Sequence, residues 1–333
     1  MIGVGFGQQV HVPAFRADPR CEVVAICAHT LARAEAVGQR LGVGQVFGNI
    51  HDMLAGAHVD AVSIAVPPAV QPDIIVAAAE AGKHVFCEKP LAVSVPPAER
   101  ALSAVKRAGV VHAIDFIFPE SGPWQRARSV LEAGTLGRLR HVALSWRVET
   151  YAFAAGLDSW KMRISDGGGT LNQFVSHSFY YLEWLLGRIA RVAARLMPHG
   201  TAGEARADLW LEMTSGCPVT ISVAADAFLG GGHRLEIYGE QGTLLLENRT
   251  ADYVNGFTLS VGTRANRTFS SEPSEPFPHP DGRIGATSGI VRRFVDGILS
   301  GAAVKPNLED GLRVQRLIAA ARAADVTGTW QTA

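Results

Sequence analysis

Apolar residues in the first third of the chain come in short unbroken blocks, separated by stretches where they recur every three or four positions. The blocks Cys21 to Cys27 (CEVVAIC), Val59 to Val66 (VDAVSIAV), Val85-Phe86-Cys87 and Val110 to Phe118 read as strands buried on both faces. Between them, Leu31 to Leu41, Ile74 to Ala81 and Ala98 to Ala108 carry helical patterns, and Gly82 is placed to cap the second. Strand and helix in alternation at this spacing predict a parallel, doubly wound sheet. A strand over Ile2 to Gly7 comes first, followed by a helix from Gln8 with Val10, Pro13, Ala14 and Phe15 as its apolar side. Only Met1 and Ile2 precede Gly3, where a strand of ~5–6 residues is normal. Either the true start lies upstream of Met1 or this strand is a stub.

Beyond residue 138 the pattern changes. Arg138 to Thr150, Ile189 to Met197, Ala207 to Met213, Val219 to Ala225 and His233 to Tyr238 carry strand-like runs, with Gly242 to Glu247 completing a hairpin. Asp166 to Gly187 is a glycine-rich turn leading into a long helix, and Asn266 to Gly285 reads as the clearest loop. The length of 333 residues suits two domains. The fold class expected is α/β, with a doubly wound parallel domain over 1–115 and a second, strand-rich domain over 116–333.

Composition narrows the partners. Thirty-one basic and 31 acidic residues cancel, so nothing favours nucleic acid or an anionic membrane surface. Cys21, Cys27, Cys87 and Cys217 show no C-x-x-C spacing and suit small buried residues in a reducing compartment. No apolar run reaches the ~20 residues of a membrane helix, and no charged leader precedes one. A cytoplasmic protein without a bound metal is the expectation.

The first turn, Gly3-x-Gly5-x-Gly7 with Phe6 and Gln8, lies between a strand and a helix. Glycines there let the backbone approach a pyrophosphate seated on the helix N-terminus. The third glycine falls at Gly7 rather than at Gln8, which should shift the helix slightly. The second strand ends in Ala28-His29-Thr30, with Arg33 following, and no carboxylate occupies the position that would read a ribose 2′-hydroxyl. Thr30 could merely cap the next helix and Arg33 be solvated. The missing acid favours instead a 2′-phosphate bound by hydroxyl, imidazole and guanidinium, hence NADP, with NAD possible. Lys89 follows the strand Val85-Phe86-Cys87 and precedes Pro90, which ends it. It is either a snorkelling surface residue or a proton-handling group beside a cofactor.

With Glu88-Lys89-Pro90 and the glycine turn together, the chain resembles the glucose–fructose oxidoreductase/inositol dehydrogenase (Gfo/Idh/MocA) family. Matching residues include His11 and Pro13, Ala65-Val66-Pro67-Pro68 with Gln71, Ala81 to Pro90, Gly134-Thr135-Leu136-Gly137, Trp160-Lys161, Gly167 to Leu171 with His177, and Glu309 to Val314. The resemblance implies a Rossmann domain over 1–115 and an α/β domain with a large, mostly antiparallel sheet over 116–333. It further implies that Val66, Pro67, Gln71, Glu88 and Lys89 border the cofactor, and that the second domain binds substrate and forms a homodimer or homotetramer through its sheet. It places His177 on the family's histidine and makes Lys89 a catalytic group. It also places Gln173 on the catalytic aspartate and Tyr180 on a second aspartate. A glutamine amide can hydrogen-bond but cannot take a proton, so Lys89 and His177 would share the proton work. Gln173, His177 and Tyr181 recur at helical spacing as one stripe.

Asp115 and Glu120 at a strand end, Trp160, Lys161 and Tyr180 are further substrate candidates; Trp124 suits either a sugar face or the core. The reading is an NAD(P)-dependent oxidoreductase acting on a secondary alcohol or ketone of a sugar, cyclitol or related polyol. Alternatives are a redox-assisted lyase or glycosidase, or a non-catalytic NAD(P)/sugar sensor, which the Gln173 replacement keeps open.

Overall fold

The computed structural model describes residues 1–198, 203–272 and 275–332. A π-helical turn, Gly7–His11, runs directly into α1 (Val12–Arg16). Then follow β1 (Ala25–Cys27), α2 (Leu31–Leu41), β2 (Gln45–Phe47), α3 (Ile50–Gly56) and β3 (Ala61–Ile64). Next come α4 (Gln71–Glu80), β4 (His84–Cys87), α5 (Val95–Ala108) and β5 (His112–Ile114). Local chemistry sets the helix ends. Thr30 and Asn49 cap α2 and α3 with side-chain oxygens, while Gly42 and Gly109 end α2 and α5 in the left-handed conformation. The strand expected over Cys21 to Cys27 contracts to its last three residues, the part buried throughout.

Strands β1 and β2 pair in parallel, as do β3, β4 and β5. Ile2 closes the gap between these groups. It bridges Cys27 and Ile64 in parallel, through four backbone bonds of 2.8–2.9 Å. The order is therefore β2-β1-Ile2-β3-β4-β5, with Ile2 as the bridging residue at the centre.

The second half contributes α6 (Gly122–Glu132), β6 (Leu139–Arg147), α7 (Tyr151–Ala154), α8 (Ser176–Leu186) and β7 (Ile189–Pro198). These lead to β8 (Glu204–Met213), β9 (Pro218–Ala224), β10 (Gly232–Gly239), β11 (Gly242–Asn248), β12 (Thr258–Thr263) and β13 (Phe269–Glu272). The chain finishes with α9 (Gly282–Ser300), α10 (Leu308–Thr327) and β14 (Gln331–Thr332). Nine strands form one sheet in the order β13-β12-β11-β10-β6-β9-β8-β7-β14. Only the β6–β9 pair is parallel. Strand β8 shows why it is a sheet with one covered face: Ala207, Leu209, Leu211 and Met213 are buried, while Arg206 and Trp210, at alternate positions, are exposed. The loop expected over Asn266 to Gly285 is interrupted, since Phe269–Glu272 pairs with β12 and α9 starts at Gly282. Alternation there was masked by serines, which fit an edge strand as readily as a loop.

Two compact units emerge. One comprises Met1–Ile117 with Arg283–Gln315; the other comprises Phe118–Gly282 with Arg316–Ala333. The chain passes from the first unit to the second after Ile117, and α9 with the start of α10 returns to the first unit. Phe15, Phe86 and Phe294 pack edge-on in its core, so α9 covers the parallel sheet. In the second unit Phe118, Trp124, Trp146, Tyr181, His233 and Phe257 form a ring cluster. Among the described residues no helix is long and apolar enough to cross a membrane.

Candidate active site

The glycine turn is shaped by crowding at two positions and by open space at a third. Gly3 has φ of 89°, and a Cβ there would overlap the carbonyl oxygen of Ala65. Met1 fills the side-chain position of Gly7. Gly5, between them, is exposed, and a Cβ would meet nothing within 4 Å. That open cradle, at the carboxyl edge of a parallel sheet and before a helix whose first amides lack partners, fits a dinucleotide's pyrophosphate. Gln8 accepts a hydrogen bond from the Arg40 guanidinium, and the Arg283 guanidinium lies 5.5 Å from the Phe6 ring centroid.

After β1, Ala28 is buried, and His29, Thr30 and Arg33 are exposed. Thr30 does cap α2, its Oγ1 accepting from the Arg33 amide at 3.4 Å. Both residues are exposed, and an Oγ1 that accepts keeps its own proton to donate, so capping and phosphate binding are compatible. Val66 and Pro67 lie half-buried after β3.

The end of β4 is clamped from both sides. Glu88 accepts the Lys89 backbone N–H on Oε2 at 3.0 Å. The buried Gln71 donates its amide to the carbonyl oxygens of Glu88, Pro90 and Leu91 at 2.7, 3.1 and 3.3 Å. Gln71 and Glu88, expected to border the cofactor, thus commit these groups to the turn that carries Lys89. Lys89 itself is half-buried and its peptide with Pro90 is cis.

Beneath the clamp lies a cluster that sequence reading did not single out. His11 is fully buried, with Nε2 3.1 Å from Glu88 Oε1 and 3.5 Å from Asp115 Oδ2, and Nδ1 2.8 Å from Ser63 Oγ. Asp115, 2 % exposed, also accepts from the Thr287 hydroxyl at 3.0 Å. Burial opposes charge on His11, but hydrogen bonds and the charges of Asp115 and Glu88 outweigh it and raise its pKa to about 9. Burial lifts the Asp115 carboxyl to about 6 against the pull of His11. Asp115, expected to face a sugar, is therefore placed inside the first unit. The available signal was a histidine set between Val10 and Val12 in an apolar helix.

In the second unit, Gly167 and Gly169 take φ of 88° and 89°, and the chain enters a π-helical turn, Leu171–Val175, before α8. Glu204, 3 % exposed, lies against Gly169, accepts the Leu171 amide at 3.4 Å and meets both terminal nitrogens of Arg322 at 2.9 and 3.3 Å. Gln173 donates to the Lys161 carbonyl at 2.6 Å, tying the turn to the segment Trp160–Met162. His177 is 6 % exposed, with Phe118 edge-on at 5.0 Å.

Gln173 stands on the π-turn and is half-buried, while His177 and Tyr181, on α8, are buried. Tyr181 is buried, donates to Ser178 at 2.9 Å and lies 2.9 Å from His233 Nε2. Burial drives its phenol up and holds His233 down at about 3, marking both as core groups. Trp124 is wholly buried in the same core. Trp160, Tyr180 and Glu120 are half-buried and Lys161 is exposed. Lys89 and His177 belong to different units.

A model of an oxidoreductase family with an NAD-binding Rossmann fold matches residues 1–116, and a model of the GFO/IDH/MocA C-terminal domain matches 124–245. An uncharacterized oxidoreductase of Synechocystis sp. is 31 % identical, over 99 % of this chain and 94 % of its own. Levoglucosan dehydrogenase of Pseudarthrobacter phenanthrenivorans is 26 % identical, over 94 % and 92 %. A solved levoglucosan dehydrogenase, in complex with NADH and levoglucosan, superposes with a TM-score of 0.86 at 22 % identity, over 99 % of this chain and 97 % of that one.

Proposed function

The chain belongs to the Gfo/Idh/MocA family of NAD-binding oxidoreductases, and on that premise we propose that it moves a hydride between NADP and a secondary hydroxyl or ketone of a sugar, cyclitol or related polyol. The observation that carries the reading is the strand end of β4, where Glu88 and Gln71 hold the backbone on both sides of Lys89. The named activities of relatives, levoglucosan dehydrogenase and inositol 2-dehydrogenase, agree with that substrate class.

The nicotinamide cofactor, when bound, supplies the hydride acceptor or donor. The turn from Gly3 to Gly7, with Phe6 and Gln8, would hold its pyrophosphate. His29, Thr30 and Arg33 would hold a 2′-phosphate beside Ala28, and Val66 and Pro67 would wall the cofactor. In the oxidising direction a neutral His177 takes the hydroxyl proton while the Lys89 ammonium stabilises the developing alkoxide. Gln173 orients rather than titrates. Trp160, Lys161, Tyr180 and Glu120 would contact substrate hydroxyls. The outer face of the large sheet, where Trp210 and Tyr238 are exposed, is the surface we assign to another copy of the chain.

A fluorescence titration with NADH and NADPH, followed by turnover assays on a panel of polyols and keto-sugars, tests the reading. It expects tighter NADPH binding and turnover of at least one panel member. Tight nucleotide binding with no turnover would instead describe a sensor.

A further inference from the structure

We propose that His11 is a positioning residue for this reaction: held between Glu88 and Asp115, it fixes the strand end that presents Lys89. The proposal rests on the catalytic reading of Lys89 given above. Three observations carry it. First, the linkage is continuous and short. His11 Nε2 meets Glu88 Oε1 at 3.1 Å, and the other oxygen of the same carboxylate accepts the Lys89 amide at 3.0 Å.

Second, His11 is itself fixed on every side. Ser63 of β3 holds Nδ1 at 2.8 Å, Asp115 after β5 lies 3.5 Å from Nε2, and Thr287 of α9 holds Asp115 at 3.0 Å. Phe86 and Phe6 pack edge-on at 5.2 and 5.6 Å from its ring. Third, burial of a histidine with two carboxylates costs desolvation that an apolar trio of equal volume would avoid, so stability alone is a poor reason for the cluster. What it supplies is direction: a carboxylate aimed at one backbone amide, in a reaction where a displacement of about 1 Å can cost about 100-fold in rate.

The ligand atoms of His11, Glu88 and Asp115 lie within 4.8 Å of one another, so a metal ion is a rival occupant. A proton on Nε2, shared between the two carboxylates, fills the same space.

The test compares wild type, His11→Gln, Ser63→Ala and Lys89→Ala as full chains. NADPH affinity is read by fluorescence, and kcat with NADP and NAD on levoglucosan and myo-inositol. Acetylation of Lys89 by acetic anhydride, relative to exposed Lys161, is read by peptide mass spectrometry and needs no turnover. His11→Gln should keep nucleotide affinity within about threefold, lose about 10- to 100-fold in kcat and change the acetylation ratio by at least about threefold. Ser63→Ala should move kcat and acetylation the same way by less, and it decides the matter if His11→Gln does not fold. Unchanged kcat and acetylation ratio in a folded variant would overturn the proposal, as would a stoichiometric metal lost on His11→Gln. Normal turnover in Lys89→Ala would refute the catalytic reading of Lys89 instead, leaving the acetylation ratio to judge the clamp.

Discussion

Raising the pH above neutrality should weaken the folded chain as His11 gives up its proton. In the unfolded chain this imidazole titrates at its ordinary 6.5; in the fold its pKa is about 9. The fold thus favours the protonated form. Its contribution is fully present below pH 6.5 and is lost as pH rises through 9. The difference, 9 − 6.5 = 2.5, at about 1.4 kcal/mol for each pH unit gives an upper bound of about 3.5 kcal/mol. Asp115, raised to about 6 by burial, shares the site and has the same sign, losing stability between pH 4 and 6.

Ser63 and Thr287 are hydroxyls, and burial pushes the Cys87 thiol well above its usual value. Urea unfolding of the nucleotide-free protein at pH 6.5, 8 and 9.5, followed by circular dichroism, measures the effect. The difference between wild type and His11→Gln isolates it from lysines and tyrosines that titrate elsewhere. Wild type should lose stability over this range while the variant changes much less. Parallel curves would refute the reasoning, because they would mean that His11 carries no extra proton in the fold.

Other perturbations follow from the same geometry. Arg322→Met strands the buried Glu204 and should destabilise by about 3 kcal/mol, with the Glu204→Gln/Arg322→Met pair recovering much of it in thermal unfolding. Gly5→Val should fill the open cradle and weaken NADPH binding at least about tenfold, roughly 1.4 kcal/mol, with the melting temperature nearly unchanged. Gly3→Val, in contrast, meets the Ala65 carbonyl and should reduce soluble folded protein on expression. Ala28→Asp should turn preference toward NADH by about tenfold or more, because a carboxylate there suits a ribose hydroxyl and repels a phosphate.

The parallel half of the fold was legible because buried strands and capped helices write their periods locally. Leu31–Leu41 emerges with the bounds its pattern predicts, and β4 ends where Pro90 requires. Elements without an apolar block, such as β2 (QVF) and β13 (FSSE), were not legible, since their pairing is decided by neighbours rather than by their own residues. Helix α9 was missed as part of the first unit because sequence order says nothing about where a late helix returns.

Within the candidate site, what was legible is backbone shape: the glycine turn, and the strand end at which Lys89 stands. The His11 cluster was hidden because Glu88 and Asp115 lie 77 and 104 positions along the chain from His11 (88 − 11 and 115 − 11). The π-turn that carries Gln173 was not legible, because spacing alone does not tell it from an α-helical turn.

The most direct test of the central claim is a comparison of hydride transfer and nucleotide binding in wild type and Lys89→Ala. NADP reduction is followed at the nicotinamide absorbance across the polyol panel, and NADPH affinity by fluorescence. We expect wild type to turn over a secondary-alcohol substrate, and Lys89→Ala to lose at least about 100-fold in kcat with affinity within about threefold. Equal turnover in the two proteins, with affinity intact, would contradict the account.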